Sequence, residues 1–294
     1  MPRFTSHPFG AGITRRTVLC AATATLLPRT AYLLSAHSAH EQHALNAALE
    51  DTPARAIVLH QQTGRILATY GDTASLSTPG SILKPLLLST ALQQNLISPT
   101  TTVFCRRDLR IDNQPYPCTH PHSNTPFNAQ EALAYSCNTW FASLALRYTT
   151  SRLVETLNAF HFYHVTSPES PEQKQLLALG LAGITTSPEE IATAYRILAG
   201  QFQLPFEKPV ADGLHDSVSF GMAHSADAPG FDISGKTGTA SNLPRQPWSH
   251  GWFAGLATIH RVPLVISLYL PQGNGADAAH LARTFFLACN KATV

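Results

Sequence analysis

Pro79-Gly80-Ser81-Ile82-Leu83-Lys84-Pro85 places a hydroxyl and an amine three residues apart at the head of an apolar run. A helix starting there would carry Ser81 and Lys84 on one side, so that the amine can take the hydroxyl's proton. Ser136-Cys137-Asn138 then offers a second hydroxyl and a carboxamide on alternate residues of a loop. Lys236-Thr237-Gly238-Thr239 reads as a strand end with a cation, two hydroxyls and a glycine that lets a ligand approach the backbone. A serine three before a lysine occurs often by chance, as on any surface helix. All three motifs in this order point to a serine acyl-transfer site.

The chain has 294 residues, which suits one large domain with a targeting segment, or two small domains. Charged residues make up 13% and apolar residues 44%, against about a quarter charged in ordinary globular proteins. That balance favours a well-buried core over disorder. A net charge of +2, with Lys and Arg scattered and no long basic run, gives no case for nucleic acid. Most of the fourteen histidines stand alone.

Thr14-Arg15-Arg16-Thr17-Val18-Leu19 has the form of a twin-arginine export signal, followed by apolar residues 18–27. Pro28 and Arg29 interrupt that stretch before it reaches the ~20 residues of a spanning helix. Ala36-His37-Ser38 offers small residues for cleavage. The expected division is an export signal over 1–39 and a functional domain over 40–294, with an uncleaved amphipathic anchor as the alternative. Cys20 is expected to be lost with the signal.

Further along, residues 40–51 form a polar helical stretch, and 56–59 and 65–70 read as two strands around a Thr63-Gly64 turn. Residues 81–93 are expected to be helical, with Pro85 in the first turns. Residues 99–128 read as a long structured loop. Helices are expected over 128–135, 139–148, 151–160 and 187–198, the last with Ser187 as N-cap and Pro188 at its first position. Strands return at 233–239, 251–257 and 263–270, before a final helix over 278–289 capped by Asp277. Strands at both ends with helices between predict an α+β domain: one sheet completed by the two termini, with an all-helical insertion.

Taken together, these segments resemble the transpeptidase domain of penicillin-binding proteins. The resemblance takes in the three motifs, the flanking ALAYSCNTWF of residues 132–141 and SGKTGTA of 234–240. It also takes in AIVLHQQTGRILA of 56–68 and HGWFAGL of 250–256, and spans roughly residues 54 to 288. It implies an antiparallel sheet flanked by helices, with the site between sheet and helical lobe. Ser81 would be the nucleophile and Lys84 its base, deprotonated by burial and by the nearby cation Lys236. Ser136 would relay a proton to the leaving amine, and Asn138 would hold the substrate's amide side chain. Lys236, Thr237, Gly238 and Thr239 would bind the peptide's terminal carboxylate and pair with its backbone. The amides of Ser81 and Thr239 would form the oxyanion hole.

The implied function is a peptidoglycan DD-transpeptidase or DD-carboxypeptidase. It would form an acyl-enzyme with D-Ala-D-Ala stem peptides, be acylated by β-lactams, and lie in the periplasm or on the outer face of the cytoplasmic membrane. Other cell-wall enzymes are the further partners this implies. A β-lactamase shares the motifs, and one class deacylates with a glutamate in Glu-x-x-Leu-Asn. Glu155-Thr156-Leu157-Asn158 is one residue shorter and lies in an amphipathic pattern, so it reads as ordinary helix. A non-catalytic β-lactam or peptidoglycan sensor is the third reading.

Cys105, Cys118 and Cys137 raise a separate question. If Ser136 and Asn138 face the cleft, Cys137 between them points back into the protein, where the loop of 105–122 can meet it. Three thiolates and an imidazole make a closed tetrahedral zinc site, and some elongation-type penicillin-binding proteins resemble this with a structural metal at comparable places. The expected set is Cys105, Cys118, His122 and Cys137, with His120 as the alternative imidazole. A Cys105–Cys118 disulfide and free thiols are the other two states. The chemistry itself needs no cofactor. Cys289 reads as a small buried hydrophobe.

Overall fold

The computed structural model describes residues 27–241 and 248–291. The twin-arginine segment lies outside the described residues. The elements in order are α1 (Leu27–Leu49), β1 (Arg55–His60), β2 (Ile66–Tyr70), α2 (Lys84–Gln93), β3 (Arg110–Ile111), β4 (Gln114–Pro115), α3 (Ala129–Ala134) and α4 (Asn138–Ala145). There follow α5 (Thr150–Ala159), α6 (Pro171–Ala178), α7 (Pro188–Ala199), α8 (Lys208–Ser219), β5 (Ile233–Ala240), β6 (His250–Ile259), β7 (Val262–Leu270) and α9 (Gly275–Lys291). The candidate cleavage residues 36–38 fall within α1. Among the described residues no helix is long and apolar enough to cross a membrane.

Five strands form one antiparallel sheet in the order β2-β1-β7-β6-β5. The first strand therefore pairs with the last, Ile57 opposite Ser267, and this closes the sheet across the helical insertion, as the α+β reading expects. β7 shows how the sheet is buried on both faces. Leu264, Ile266 and Leu268 enter the core shared with α1 and α9, while Val265 and Tyr269 enter the core of the helical lobe. β5 and β2 are the edges. On β2, the Gln42 side chain from α1 stands in for a neighbouring strand: its Nε2 donates to Thr69 O at 2.8 Å, and its Oε1 accepts from Thr69 N at 3.0 Å.

Helix starts follow local chemistry. Ser187 and Glu190 form a reciprocal capping box with Pro188 in the first turn, and Asn128 and Glu131 form another. Ser170 caps α6, followed by Pro171, a signal of the same kind that the sequence reading passed over along with α8. The cap of α9 differs from expectation. Asn274 Oδ1 accepts from Ala276 N and Asp277 N, while Asp277 Oδ2 accepts from Asn274 N, so the helix begins a turn earlier and Asp277 closes the box.

The expected helix over 81–93 is split. Gly80–Leu83 is a 3-10 turn and the α-helix begins at Lys84. Pro85 has no N–H to reach Ser81 O, so the Lys84 amide takes that carbonyl at 3-10 spacing instead. α2 then runs through the middle of the lobe with every residue but Gln93 buried.

Backbones meet closely beneath the turn. Gly80 N donates to Gly180 O at 2.8 Å, and a Cβ on Gly180 would lie 2.2 Å from Gly80 O. Gly180 is also left-handed, with φ of 68°. Gly180→Ala is expected to lose at least ~2 kcal/mol, or roughly 5 °C in Tm, by thermal unfolding. Gly230→Ala is the control: φ is 89° but no atom lies within 4 Å of the added carbon. Equal losses in the two variants would show that the collision is not what matters.

Candidate active site

The three motifs meet in one cleft. Ser81, Ser136, Asn138, Thr237 and Thr239 line a cavity of about 400 Å³ with Pro117, Thr119, Met222 and residues 274–276. The last four sites were not singled out in the sequence. The Asn274 capping box was the readable signal for one of them.

Lys84, the first residue of α2, is fully buried. Its Nζ donates to Ser136 O at 2.8 Å, Ser136 Oγ at 3.2 Å and Asn138 Oδ1 at 2.8 Å. Those bonds use all three ammonium protons, and Ser81 Oγ makes no hydrogen bond to Lys84 in this structure. Ser136 therefore occupies the place the sequence reading gave to Ser81 as the amine's immediate partner. Asn138 is likewise turned toward the protein: its Nδ2 donates to Tyr116 O at 3.4 Å and Pro117 O at 3.3 Å.

Ser136 and Asn138 share the cleft, but not on an extended loop. Ser136 is left-handed with φ of 53°, Cys137 is the extended N-cap, and Asn138 opens α4. The left-handed residue reverses the chain so that both its carbonyl and its hydroxyl reach Lys84. Cys137 points away from the cleft and is fully buried.

Burial lowers the Lys84 amine to about 8, against the opposing influence of the Cys137 and Cys118 sulfurs. Lys236 is fully buried as well. Its own burial, and then the charge on Lys84, hold it well below the usual lysine range. Burial thus leads at both lysines; of the two causes expected for Lys84, burial and the Lys236 cation, burial is the one that lowers it. Lys236 Nζ donates to Thr237 O at 3.0 Å. Thr237 Oγ1 donates to Met222 O at 3.3 Å, whereas Thr239 Oγ1 accepts from Gly275 N at 2.9 Å, so the Thr239 proton is free for an anion. Gly238 serves a different approach from the one expected. A Cβ there would lie 2.5 Å from Pro79 O, so the glycine admits the close approach of the turn that carries Ser81.

Behind the second motif, Cys105 Sγ, Cys118 Sγ, His120 and Cys137 Sγ bring ligand atoms within 4.8 Å of one another, all buried. The histidine is His120 and not the expected His122, which is exposed. His120 is drawn inward by Phe127, at 5.0 Å between ring centroids, and by the bond of its Nδ1 to Pro121 O at 2.7 Å. That bond puts the ring proton on Nδ1 and leaves Nε2, which is buried with no hydrogen-bond partner, as a bare ligand atom. The sulfurs are thiols, not a disulfide. Cys105 and Cys118 are 3.5 Å apart, Cys118 and Cys137 3.9 Å. Four ligands at about 2.3 Å around zinc would set sulfurs about 3.8 Å apart, so the residues fit the metal. The S–H···S contact lowers Cys118 and raises Cys137. Cys289 lies apart in the core beneath α9, its thiol pushed up to about 12 by burial.

Residues 54–288 match the family described as the penicillin binding protein transpeptidase domain. No curated protein matches the chain by sequence. The D,D-transpeptidase domain of a peptidoglycan glycosyltransferase from Eggerthella lenta is similar with a TM-score of 0.73 at 20% identity, over 85% of this chain and 80% of that one. The transpeptidase domain of penicillin-binding protein 3 from Burkholderia pseudomallei gives 0.69 at 18% identity, over 88% and 92%. The penicillin-binding protein 2 of Helicobacter pylori, solved with MreC, gives 0.75 at 14% identity, over 86% and 63%. At these identities the likeness is one of fold.

Only the neutral Lys84 amine can accept a proton, so the pH dependence has a definite sign. Covalent labelling of Ser81 by an acylating probe is expected to rise about tenfold per pH unit from pH 6 and level above about 8. Lys84→Arg keeps the charge but cannot deprotonate, and is expected to lose ~10²–10⁴-fold in labelling rate. A flat profile between pH 6 and 9 would remove Lys84 as the base.

Proposed function

The chain belongs to the penicillin binding protein transpeptidase domain family, and from that premise we propose a peptidoglycan DD-transpeptidase or DD-carboxypeptidase acting on D-Ala-D-Ala stem peptides. The observation that carries this reading is the buried Lys84 amine, held against Ser136 and Asn138 in a cleft shared by Ser81, Thr237 and Thr239. Ser81 Oγ attacks the carbonyl of the penultimate D-Ala, and its proton passes to the neutral Lys84 amine, with Ser136, 3.2 Å from that amine and lining the same cleft, as the bridge. The amides of Ser81 and Thr239 hold the developing oxyanion, and the free Thr239 hydroxyl meets the terminal carboxylate. Collapse expels D-Ala, whose nitrogen takes its proton through Ser136. An amine or water then resolves the ester.

The neutral groove of about 1190 Å³ beyond Thr239, bordered by Thr78, Tyr116, His164 and Ser249, continues along the β5 edge and suits the upstream part of the stem peptide. A β-lactam would acylate the same serine. A β-lactamase is disfavoured because Glu155 and Asn158 lie exposed on α5, outside the residues lining the cleft. The export-signal form of residues 14–19 supports a location in the periplasm or on the outer face of the cytoplasmic membrane. Other cell-wall proteins are its expected associates, as in the Helicobacter pylori structure with MreC.

Cys105, Cys118, His120 and Cys137 would hold a structural zinc, which supplies ligation alone and no step of the reaction. What it secures is the loop before Cys118, whose Tyr116 and Pro117 carbonyls hold Asn138.

Incubation with a fluorescent penicillin, followed by intact mass, is expected to give a lasting adduct on Ser81 that is absent in Ser81→Ala. An adduct that clears within seconds would move the assignment to β-lactamase. No adduct from folded protein would leave a binding role. For the metal, one zinc per chain is expected by elemental mass spectrometry. Cys137→Ser should lose it, lower the Tm, and slow acylation by about tenfold or more. Unchanged metal content and acylation rate in that variant would remove the metal's role.

A further inference from the structure

Beside the cleft, past Met222, lies a second cavity of about 420 Å³ between the segment after α8 and the flank of α9. Two features join it to the active site. Met222 lines both spaces, and its carbonyl holds the Thr237 hydroxyl. α9 runs along both, with Ala276 at the cleft and His280 and Arg283 at the second cavity. These residues recur at helical spacing on one face, His280 about 6 Å and Arg283 about 10 Å along the axis from Ala276.

The lining is rich in groups that can carry positive charge. His224, His280 and Arg283 share the lining with a single carboxylate, Asp227. None of the four is in an ion pair among the described residues. Arg283 Nε is buried with no hydrogen-bond partner. His224 is fixed through Nδ1 to Val218 O at 3.0 Å, which leaves Nε2 unused. A buried guanidinium N–H without an acceptor costs free energy in the empty protein, and an anion would remove that cost.

We propose that this cavity binds the carboxylates of the acceptor, an amine-bearing stem peptide, and so steers the acyl-enzyme toward transpeptidation. The proposal rests on the function above. The leaving D-Ala departs on the side of the cleft lined by Thr237, Thr239 and Met222, its carboxylate meeting the Thr239 hydroxyl, and an incoming amine must retrace that path. The body of the acceptor then extends past Thr237 and Met222, toward His280 and Arg283. Its nitrogen attacks the acyl carbon: the new C–N bond forms and the C–O bond to Ser81 breaks. The nitrogen's proton passes through Ser136 and Lys84 to Ser81 Oγ. The guanidinium and imidazoles touch only the acceptor's anionic groups, away from the reacting atoms.

The test uses a D-alanyl thioester as acyl donor and N-acetyl-L-Ala-γ-D-Glu-L-Lys-D-Ala as acceptor, with one amine and two carboxylates. The acceptor's diamide serves as the neutral comparison. In the His280→Gln, Arg283→Gln double variant, the ratio of aminolysis to hydrolysis with the diacid is expected to fall about tenfold and the ratio with the diamide to stay put. Acylation by fluorescent penicillin, which involves no acceptor, reports that the variant is folded. An undiminished ratio with the diacid overturns the subsite while leaving the proposed function standing. A wild-type protein that acylates but only hydrolyses, whatever the acceptor, does the same. A wild-type protein that forms no acyl-enzyme overturns the parent function, and the subsite with it.

Discussion

One buried amine organises this domain. Lys84 sits at the head of a helix that is buried all round, and its three bonds to Ser136 and Asn138 tie that helix to the start of α4. A charged lysine there would be costly, so the amine is held near the pH at which it can exchange a proton. Structure and reactivity thus rest on the same contact. The left-handed backbone at Ser136, the Asn138 carboxamide and the loop carbonyls behind it are all arranged to receive this amine.

Rigid supports stand on either side of that contact. Behind it, the cluster of Cys105, Cys118, His120 and Cys137 joins the 105–120 loop to the second motif. In front, the turn that carries Ser81 is pressed between Gly180 and β5 with no room for a side chain at Gly80, Gly180 or Gly238. The groups lining the cleft therefore come from distant parts of the chain, yet are held by close backbone packing and buried side chains. Long-range pairing makes this possible: β1 and β7 close the sheet only after the whole helical insertion has been made.

Much of this was legible in the sequence because the signals were local. Ser187-Pro188 with Glu190, the near-continuous apolar run of 263–270 and the three motifs each carry their meaning within a few residues. The Cys137 orientation also followed from its position between two cleft residues. What the sequence did not convey depends on the third dimension. The choice of His120 over His122 turns on packing against Phe127. The partner of Lys84 turns on a single left-handed residue, and the purpose of Gly238 on the nearness of Pro79. Met222 and Arg283 belong to no motif, and only the folding of α8 and α9 against β5 brings them to the site's border.

The Gln42 carboxamide on β2 has a consequence for how the sheet can grow. A five-strand sheet has two open edges, and either could recruit an extended chain, including another copy of the protein. Gln42 occupies the N–H and C=O of Thr69 in the middle of the short β2 edge, so a strand arriving there would meet a ladder already interrupted. β5, the other edge, has no strand paired to its outward side among the described residues. The sheet thus has a polarity: the β5 edge stays open to an extended chain, while the β2 edge is occupied from within the protein and resists growth by another copy.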